Sequence, residues 1–229
     1  MRVTAQTPFA TWHAWRRRTV ARRATSASLA ALLEAPRPPL RAHWRDTEWL
    51  ALDIETTSLH ADRATLVSIG WVPVSHARLV LSDAMHLLVS GGDPVGQSAT
   101  VHRVTDTSRG AGIPLHDALE QLWIAAANRI PLFHGAALDI AVLDRLATQL
   151  FGAPWMPWHA DTLALERRRL ERGNRVVRQG ELSLAAVRER YGLPSLTAHH
   201  ALADALATAE LFLAQCASRG APTLAELLY

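Results

Sequence analysis

Apolar runs in the first half of the chain predict three consecutive β-strands. The runs are EWLALDI at residues 48–54, ATLVSIGWVPV at 64–74 and ARLVLSDAMHLLV at 77–89, and the last two are rich in valine and leucine. Only short connections separate them, and short connections favour antiparallel pairing. We therefore expect three neighbouring antiparallel strands at this point of the chain.

A different periodicity follows residue 114, where apolar residues recur at helical spacing. Helices are predicted at residues 115–128, 136–152, 160–173, 182–192 and 200–218. Three of them end in glycine, a frequent helix stop: Gly152, Gly173 and Gly192. Between the first two helices, RIPLFHG at 129–135 predicts a short buried strand. Strands followed by helices with an interleaved strand indicate a mixed α/β sheet covered by helices.

The first 47 residues differ from the rest in composition. Residues 1–45 contain nine arginines and one acid, Glu34, which gives a charge of +8 beside −5 for residues 46–229. An amphipathic helix is predicted over 9–35, broken by PRPPL. We therefore divide the chain into a basic arm, 1–47, and a folded domain, 48–229.

Four roles remain open for the basic arm. Guanidinium groups suit phosphate, so the arm could collect nucleic acid. It could instead dock onto a protein partner. Its arginine- and serine-rich, acid-poor composition also overlaps with that of organelle transit peptides. The fourth interpretation is a disordered tail without a role.

Composition excludes several classes of protein. The chain of 229 residues is 49% hydrophobic and 20% charged, as expected for a globular protein with a sizeable core. No apolar run reaches the roughly 18 residues that a membrane helix needs. The single cysteine, Cys216, cannot form an internal disulfide and excludes a cysteine-based zinc site. It fits a reducing compartment, and we expect a cytoplasmic location.

Two acids end the first predicted strand. Asp53 and Glu55 are two residues apart, so their side chains lie on the same face of the strand. Like charges at this range resist ionisation unless a positive charge lies between them, and burying them uncompensated is costly. A divalent cation would satisfy both requirements.

Further polar residues lie near predicted helix starts. Asp139 falls in the first turn of one helix, and Asp204 falls near the start of the last, with His199 five residues before it. Acids are common in a first helical turn because they interact favourably with the helix dipole. Taken singly, these acids are therefore ordinary, and His200 competes with His199 for any role.

Together, three segments resemble the motifs of the DEDD 3′-to-5′ exonucleases. DIETTSL at 53–59, HGAALD at 134–139 and HHALAD at 199–204 match the subfamily whose third motif is H-x-A-L-x-D, known as DEDDh, which includes the proofreading epsilon subunit of bacterial DNA polymerase III. VHRVT at 101–105 and ADTLAL at 160–165 resemble further landmarks of this family. The resemblance implies a ribonuclease H-like α/β fold with a five-stranded mixed sheet and helices on both faces.

The resemblance also implies the chemistry. Two divalent cations, Mg²⁺ or Mn²⁺, would be held by oxygen ligands, as two-metal phosphodiester hydrolysis requires. The implied metal ligands are Asp53, Glu55, Asp204 and Asp139. Asp53 would bridge both ions, and Asp139 would act partly through water. His199 would be the general base, because its ordinary pKa lies near working pH.

Substrate contacts follow from the same resemblance. The positions that it assigns to substrate binding are Thr56, Thr57, Leu59, His102 and His134. Leu59 would wedge against the terminal base, and the alternative is a loop leucine that caps the core. Gly135 stands where the family usually has asparagine. This departure falls on a substrate-side or packing position and leaves the catalytic residues intact.

We therefore expect a metal-dependent 3′-to-5′ exonuclease that releases nucleoside 5′-monophosphates from single-stranded or frayed DNA. The alternative within the class is an exonuclease of RNA or short oligoribonucleotides. A non-catalytic nucleic-acid-binding module is disfavoured, because it would be expected to have lost at least one of the five catalytic residues. The chain stops at Tyr229, soon after the last predicted helix, so a stand-alone or differently partnered enzyme is expected, with no oligomeric state assigned.

Overall fold

The computed structural model describes residues 8–36, 38–90, 112–195 and 200–228. Its strands form one mixed sheet in the order β3-β2-β1-β5-β6, and β4 also pairs with β2. The strands are β1 Trp49–Thr56, β2 Leu66–Ser75, β3 Arg78–Leu79, β4 Met85–Leu88, β5 Ile130–Phe133 and β6 Ala160–Asp161. β2 is antiparallel to β1, β3 and β4, whereas β5 is parallel to β1 and β6.

The mixed α/β fold is confirmed, and within the described residues the sheet has six strands rather than the five that the resemblance implied. The third predicted strand is divided into β3 and β4 by a 3₁₀ turn at Leu81–Asp83. The extra strand β6 lies where a helix start was predicted. It has only two residues, paired with Leu132 and Phe133 of β5, which is too short for a periodic signal.

The five helices predicted after position 114 are confirmed to within two residues at each end, and the short helix Leu224–Leu227 was not predicted. Their bounds are α1 Pro8–Ala21, α2 Ala27–Glu34, α3 Leu115–Ala126, α4 Ala137–Phe151, α5 Thr162–Arg172, α6 Leu184–Arg190, α7 Ala201–Ser218 and α8 Leu224–Leu227. Gly152 ends α4 in the left-handed conformation, φ 75°. Among the helices of the described residues, none combines the length and the apolar character that a membrane crossing requires.

The central strand β1 separates two apolar cores, one on each face of the sheet. Leu50, Leu52 and Ile54 pack in a core shared with α3 and α4. Trp49 and Ala51 point the opposite way into a core shared with α7. Because side chains alternate along a strand, this division confirms that helices cover both faces.

The basic arm forms two helices instead of the single predicted one. The chain turns between them, and Ser26 caps α2 by accepting a hydrogen bond from the Leu29 backbone N–H (3.1 Å). Leu29 and Leu33 are fully buried in the same core as Leu50. The division of the chain at residue 47 therefore follows composition, and the core includes side chains from both parts.

Candidate active site

The C-terminal part of β1 carries the first two acids. Asp53 pairs with Gly70 of β2, Glu55 pairs with Ser68, and the register shifts immediately after Glu55. Such irregularities re-aim side chains beside functional sites. Asp53 is half-buried and Glu55 is only 6% exposed. Both belong to the β1 face that packs against α7.

Helix α7 brings the third acid to the same place. Carboxylate oxygens of Asp53, Glu55 and Asp204 all lie within 4.8 Å of one another. Asp204 is in the first turn of α7, and its backbone N–H donates to the His200 carbonyl (3.0 Å). The structure therefore brings together residues that are about 150 positions apart in the chain.

Helix α4 adds a fourth negative charge. Asp139 lies in its first turn and contributes to the electrostatic environment of Asp53. Burial, followed by the charges of Asp139, Asp204 and Glu55, raises the pKa of Asp53 well above its ordinary value. Burial, with Glu55 and Asp161, raises the pKa of Asp139 to about 8. The three mutually close carboxylates thus have Asp139 as a near neighbour.

This acidic cluster fits a divalent cation by its chemistry. Burial and the charge of Asp204 raise the pKa of Glu55 to about 7, so ionisation of the Glu55 carboxyl group is unfavourable when no metal is bound. A cation between the carboxylates would remove their repulsion and restore the ionised form. Hard oxygen donors at this spacing suit Mg²⁺ or Mn²⁺. Asp53, Glu55 and Asp204 could hold one ion directly, with Asp139 at its side.

Asp161 holds the loop that leads into α4. Its carboxylate accepts hydrogen bonds from the backbone N–H groups of Gly135 (2.9 Å) and Ala136 (3.1 Å) and also caps α5 through Leu163 N–H (2.9 Å). Gly135 has φ 88°, a conformation that glycine and asparagine tolerate best. Glycine at this position therefore adopts the required backbone conformation without strain.

His134 is held by protein atoms at both ring nitrogens. Its Nδ1 lies 2.8 Å from the Thr162 hydroxyl, and its Nε2 lies 2.9 Å from the Leu182 carbonyl. Thr162 is fully buried, and its own carbonyl accepts from Gln215 of α7 (2.9 Å). These contacts link the α4 loop to the helix that carries Asp204. A substrate contact by His134 stays a prediction, and its observed contacts are structural.

The two threonines after Glu55 shape the loop that carries Leu59. Thr56 donates from its hydroxyl to the Ser58 carbonyl (2.9 Å), and the Thr57 hydroxyl accepts from Thr65 N–H (3.0 Å). Leu59 is 84% exposed. It therefore does not cap the core, which removes the alternative interpretation and leaves its predicted contact with the terminal base.

Two predicted residues, His199 and His102, lie outside the described residues. His200 is described: it is the N-cap residue of α7, and its ring lies 4.2 Å from the ring of His86 on β4. Burial and the neighbouring His200 lower the pKa of His86 to about 4, so His86 is neutral. The ring of His200 thus lies against His86 of the sheet, and the ranking of His199 above His200 as the base stays a prediction.

The buried residue Arg188 of α6 was missed by sequence reasoning. It donates to the carbonyls of Pro194 (2.8 Å) and Ala207 (2.8 Å) and pairs with Glu210 (2.8 Å). These partners lie before and after His199 in the chain. Arg188 therefore anchors both flanks of the segment that carries the predicted base. Its only sequence signal is an arginine on the inner face of a short amphipathic helix.

Comparison with known proteins agrees with this geometry. The family model of the RNase T exonucleases, described as "Exonuclease", matches residues 50–212. The chain belongs to this exonuclease family. The matched residues contain all five predicted catalytic positions. The exonuclease prediction is thereby confirmed for family, fold and enzyme class, and the chain is a nuclease.

Relatives of this exonuclease include much longer proteins. It is 26% identical over 171 residues to a DNA polymerase III PolC-type protein of Thermotoga petrophila, a match that covers 74% of this chain and 12% of the relative. A second protein of the same name from Thermotoga maritima is 27% identical over 169 residues, with 73% and 12% covered. The chain thus spans about an eighth of the curated relatives it matches.

Solved structures share the fold of this exonuclease. The nuclease domain of 3′hExo, a DEDDh family member bound to rAMP, superposes with a TM-score of 0.66 at 13% identity, covering 82% of this chain and 98% of that one. Exonuclease X in complex with 5′-overhanging duplex DNA gives a TM-score of 0.58 at 24% identity, covering 75% and 93%. The ribonuclease H-like architecture is therefore confirmed.

Proposed function

We propose that this exonuclease is a metal-dependent enzyme that removes nucleotides from the 3′ end of single-stranded or frayed DNA and releases nucleoside 5′-monophosphates. The observation that carries the proposal is the convergence of Asp53, Glu55 and Asp204, whose oxygens lie within 4.8 Å of one another. Three buried or half-buried carboxylates at this range are unfavourable in a purely structural role.

The residues of the chain divide the chemistry between them. Asp53, Glu55 and Asp204, with Asp139 beside them, provide the oxygen ligands for divalent cations, Mg²⁺ or Mn²⁺. When bound, these cations supply charge neutralisation at the scissile phosphate and activation of the attacking water. His199 accepts the proton of that water, as general base. Leu59, exposed in the loop that follows Glu55, presents an apolar surface to the terminal base.

DNA is the proposed substrate because the curated relatives are named as DNA polymerases. One structural neighbour is described as bound to rAMP, which favours RNA as the second candidate. The two differ in the 2′-hydroxyl, through which a protein distinguishes RNA from DNA. A cytoplasmic location stays a prediction from cysteine usage; the thiol of Cys216 is buried, and burial raises its pKa to about 12.

The deciding experiment uses oligonucleotides of one sequence as DNA, as RNA, and as DNA with a single 3′-terminal ribonucleotide. Each is labelled at the 5′ or the 3′ end and incubated with Mg²⁺, Mn²⁺ or EDTA. We expect a ladder of 5′-labelled products and immediate release of 3′-label, with DNA shortened fastest and no reaction in EDTA. Shortening from the 5′ end, or full activity in EDTA, would contradict the proposal. Faster shortening of RNA would select the second candidate.

A further inference from the structure

The outer surface of α1 displays aromatic and basic side chains together. We call the exposed residues Trp12, Trp15, Arg16 and Arg18 of α1, together with Arg22 directly after its last residue, the tryptophan–arginine face. The indole of Trp12 is 48% exposed and that of Trp15 is 64% exposed. The Arg16 guanidinium lies 5.3 Å from the centroid of the Trp12 ring. Exposed indoles beside guanidinium groups offer a ligand both an aromatic stacking surface and positive charge.

Contacts on the opposite side of α1 hold this face in place. Arg17 is only 5% exposed, donates to the Leu32 carbonyl, and lies 5.8 Å from the centroid of the Trp158 ring. Ala21 is buried in the main core. The helix is therefore docked with a fixed orientation, and the tryptophan–arginine face points away from the domain.

The chemistry of the face selects its ligand. Helix α1 contains no acidic residue, and residues 1–45 contain nine arginines and one acid. Guanidinium groups bind phosphates, and indoles stack on unpaired bases of any sequence. A helix that lies on a membrane keeps a separate apolar face. Here Trp15 is followed directly by Arg16, and Arg16 covers Trp12, so the indoles and charges are interleaved.

The face also lies beside the helix that begins at the acidic cluster. Burial raises the pKa of Asp144 on α4, while its hydrogen bonds to backbone N–H groups and the nearby charge of Arg16 act in the opposite direction. Asp144 follows Asp139 by five residues, which is about 7.5 Å along the helix axis. The tryptophan–arginine face therefore lies beside the middle of α4, and the candidate active site lies at the first turn of the same helix.

We propose that the tryptophan–arginine face binds the single-stranded nucleic acid that extends upstream of the 3′ end being hydrolysed. The proposal rests on the proposed function for the assignment of that end, and on the face itself for the binding. Guanidinium groups contact phosphates and the two indoles stack on bases, so binding is independent of sequence. The face lengthens the substrate site without entering the chemistry.

Point substitutions test this better than removal of the arm. Deleting residues 1–45 would take Leu29, Leu33 and Trp44 out of the two cores.

Two double variants keep the fold: R16Q/R18Q removes charge, and W12A/W15A removes stacking. The matched control is R167Q/I124A, since Arg167 and Ile124 are exposed on other helices. Circular dichroism melting verifies that all variants fold.

The measurement is fluorescence anisotropy in EDTA with labelled oligomers of 24 thymidylates, 24 uridylates and 4 thymidylates, at several salt concentrations. For the 24-mers, the slope of log K against log salt concentration should become shallower by about 1.4 in R16Q/R18Q. The reason is that each lost phosphate contact on a single strand removes roughly 0.7 from this slope. W12A/W15A should weaken binding roughly tenfold per indole. Neither variant should affect the 4-mer, and the control should match wild type. The two 24-mers show whether DNA or RNA is preferred.

Unchanged affinity and salt slope for both 24-mers in both variants would overturn the proposal and leave protein docking as the role of the face. Failure of the proposed function has a different signature. In that case no oligonucleotide is shortened by the wild type with Mg²⁺ or Mn²⁺, yet the anisotropy differences persist. Loss of hydrolysis and loss of face-dependent binding are thus measured separately.

Discussion

Gly70 of β2 and Ala201 of α7 are in direct backbone contact. A Cβ built at Gly70 would lie 2.2 Å from the carbonyl carbon of Ala201 and 2.2 Å from the backbone nitrogen of Leu202. The first turn of α7 therefore rests on the sheet at the residue that pairs with Asp53. This approach brings the carboxylate of Asp204, three residues into the helix, to Asp53 and Glu55.

We expect Gly70→Ala to displace α7 and disperse the acidic cluster. The backbone cannot yield as a flexible side chain would, so hydrolysis should fall at least a hundredfold and Mn²⁺ affinity should fall with it. Isothermal titration with Mn²⁺ and a hydrolysis assay measure both. Gly173→Ala is the control, because the nearest atom to its Cβ is 3.4 Å away. Normal Mn²⁺ affinity in folded Gly70→Ala would show that α7 does not need this contact.

Asp53→Asn should nearly abolish hydrolysis while the fold persists, because it removes the proposed bridging ligand. In the absence of metal its melting temperature should rise, since burial and three neighbouring acids already disfavour the ionised form of Asp53. Turnover with Mg²⁺ and thermal melting in EDTA should be measured on the same preparation. The exposed acid Asp83 provides the control variant Asp83→Asn. Near-normal turnover of Asp53→Asn would exclude the two-metal assignment.

The metal-free protein should lose stability as pH rises. Glu55 and Asp139 have folded pKa values of about 7 and about 8, above their ordinary values, so folding favours their protonated forms. The stability that they contribute is present below the ordinary carboxyl range and is lost as pH rises through 7 and 8.

Thermal melting in EDTA from pH 5 to 9 tests whether the metal-free protein loses stability as pH rises. Asp139→Asn should melt higher than wild type at pH 9, by several degrees, with a much smaller difference at pH 5. Saturating Mg²⁺ should reduce the pH dependence of wild type. An Asp139→Asn effect that is equal at both pH values would contradict the raised pKa of Asp139.

His199→Ala should lower the hydrolysis rate roughly 10²- to 10⁴-fold, the range of general acid–base catalysis, with Mn²⁺ affinity little changed. His200→Ala should have a far smaller effect, because the His200 ring packs against His86. Single-turnover rates across pH separate the two, since only the variant without the base should lose the corresponding ionisation. A larger loss in His200→Ala would reverse the assignment of the base.

Asp161 should act as a positioning residue for Asp139. Asp161→Ala removes the acceptor for Gly135 and Ala136 N–H groups, so kcat should fall about ten- to a hundredfold. Asp161→Asn keeps one acceptor oxygen and should be milder. The decisive result is a lower kcat, together with a changed dependence of the rate on Mn²⁺ concentration, while KM stays constant. Lower melting temperature with unchanged kcat would assign Asp161 to helix capping alone.

Local geometry explains which features could be predicted from the sequence. Asp53 and Glu55 share a face because side chains alternate along any strand, and this period is independent of the rest of the fold. The helix-start positions of Asp139 and Asp204 likewise follow from helical periodicity. The order of the three motifs along the chain indicated the exonuclease family, and the match over residues 50–212 confirms that family.

Features that depend on distant partners had no comparable signal. β6 is a strand because it pairs with β5 and, at Ala160, with Leu228, and two residues carry no period of their own. Leu29 and Leu33 were assigned to an arm, yet they are buried in the core beside α3 and α4. The arginine-rich composition of that region hid their apolar spacing.

Sequence alone therefore determined which side chains are the candidates for the chemistry and on which face of its own element each described one lies, because strand and helix periods are properties of the local backbone. Tertiary structure decided the distances between them. The approach of α7 to Gly70, the hold of Asp161 on the α4 loop and the anchoring of the His199 flanks by Arg188 each join residues from different elements. Such contacts form only when whole elements pack, and no local pattern encodes them.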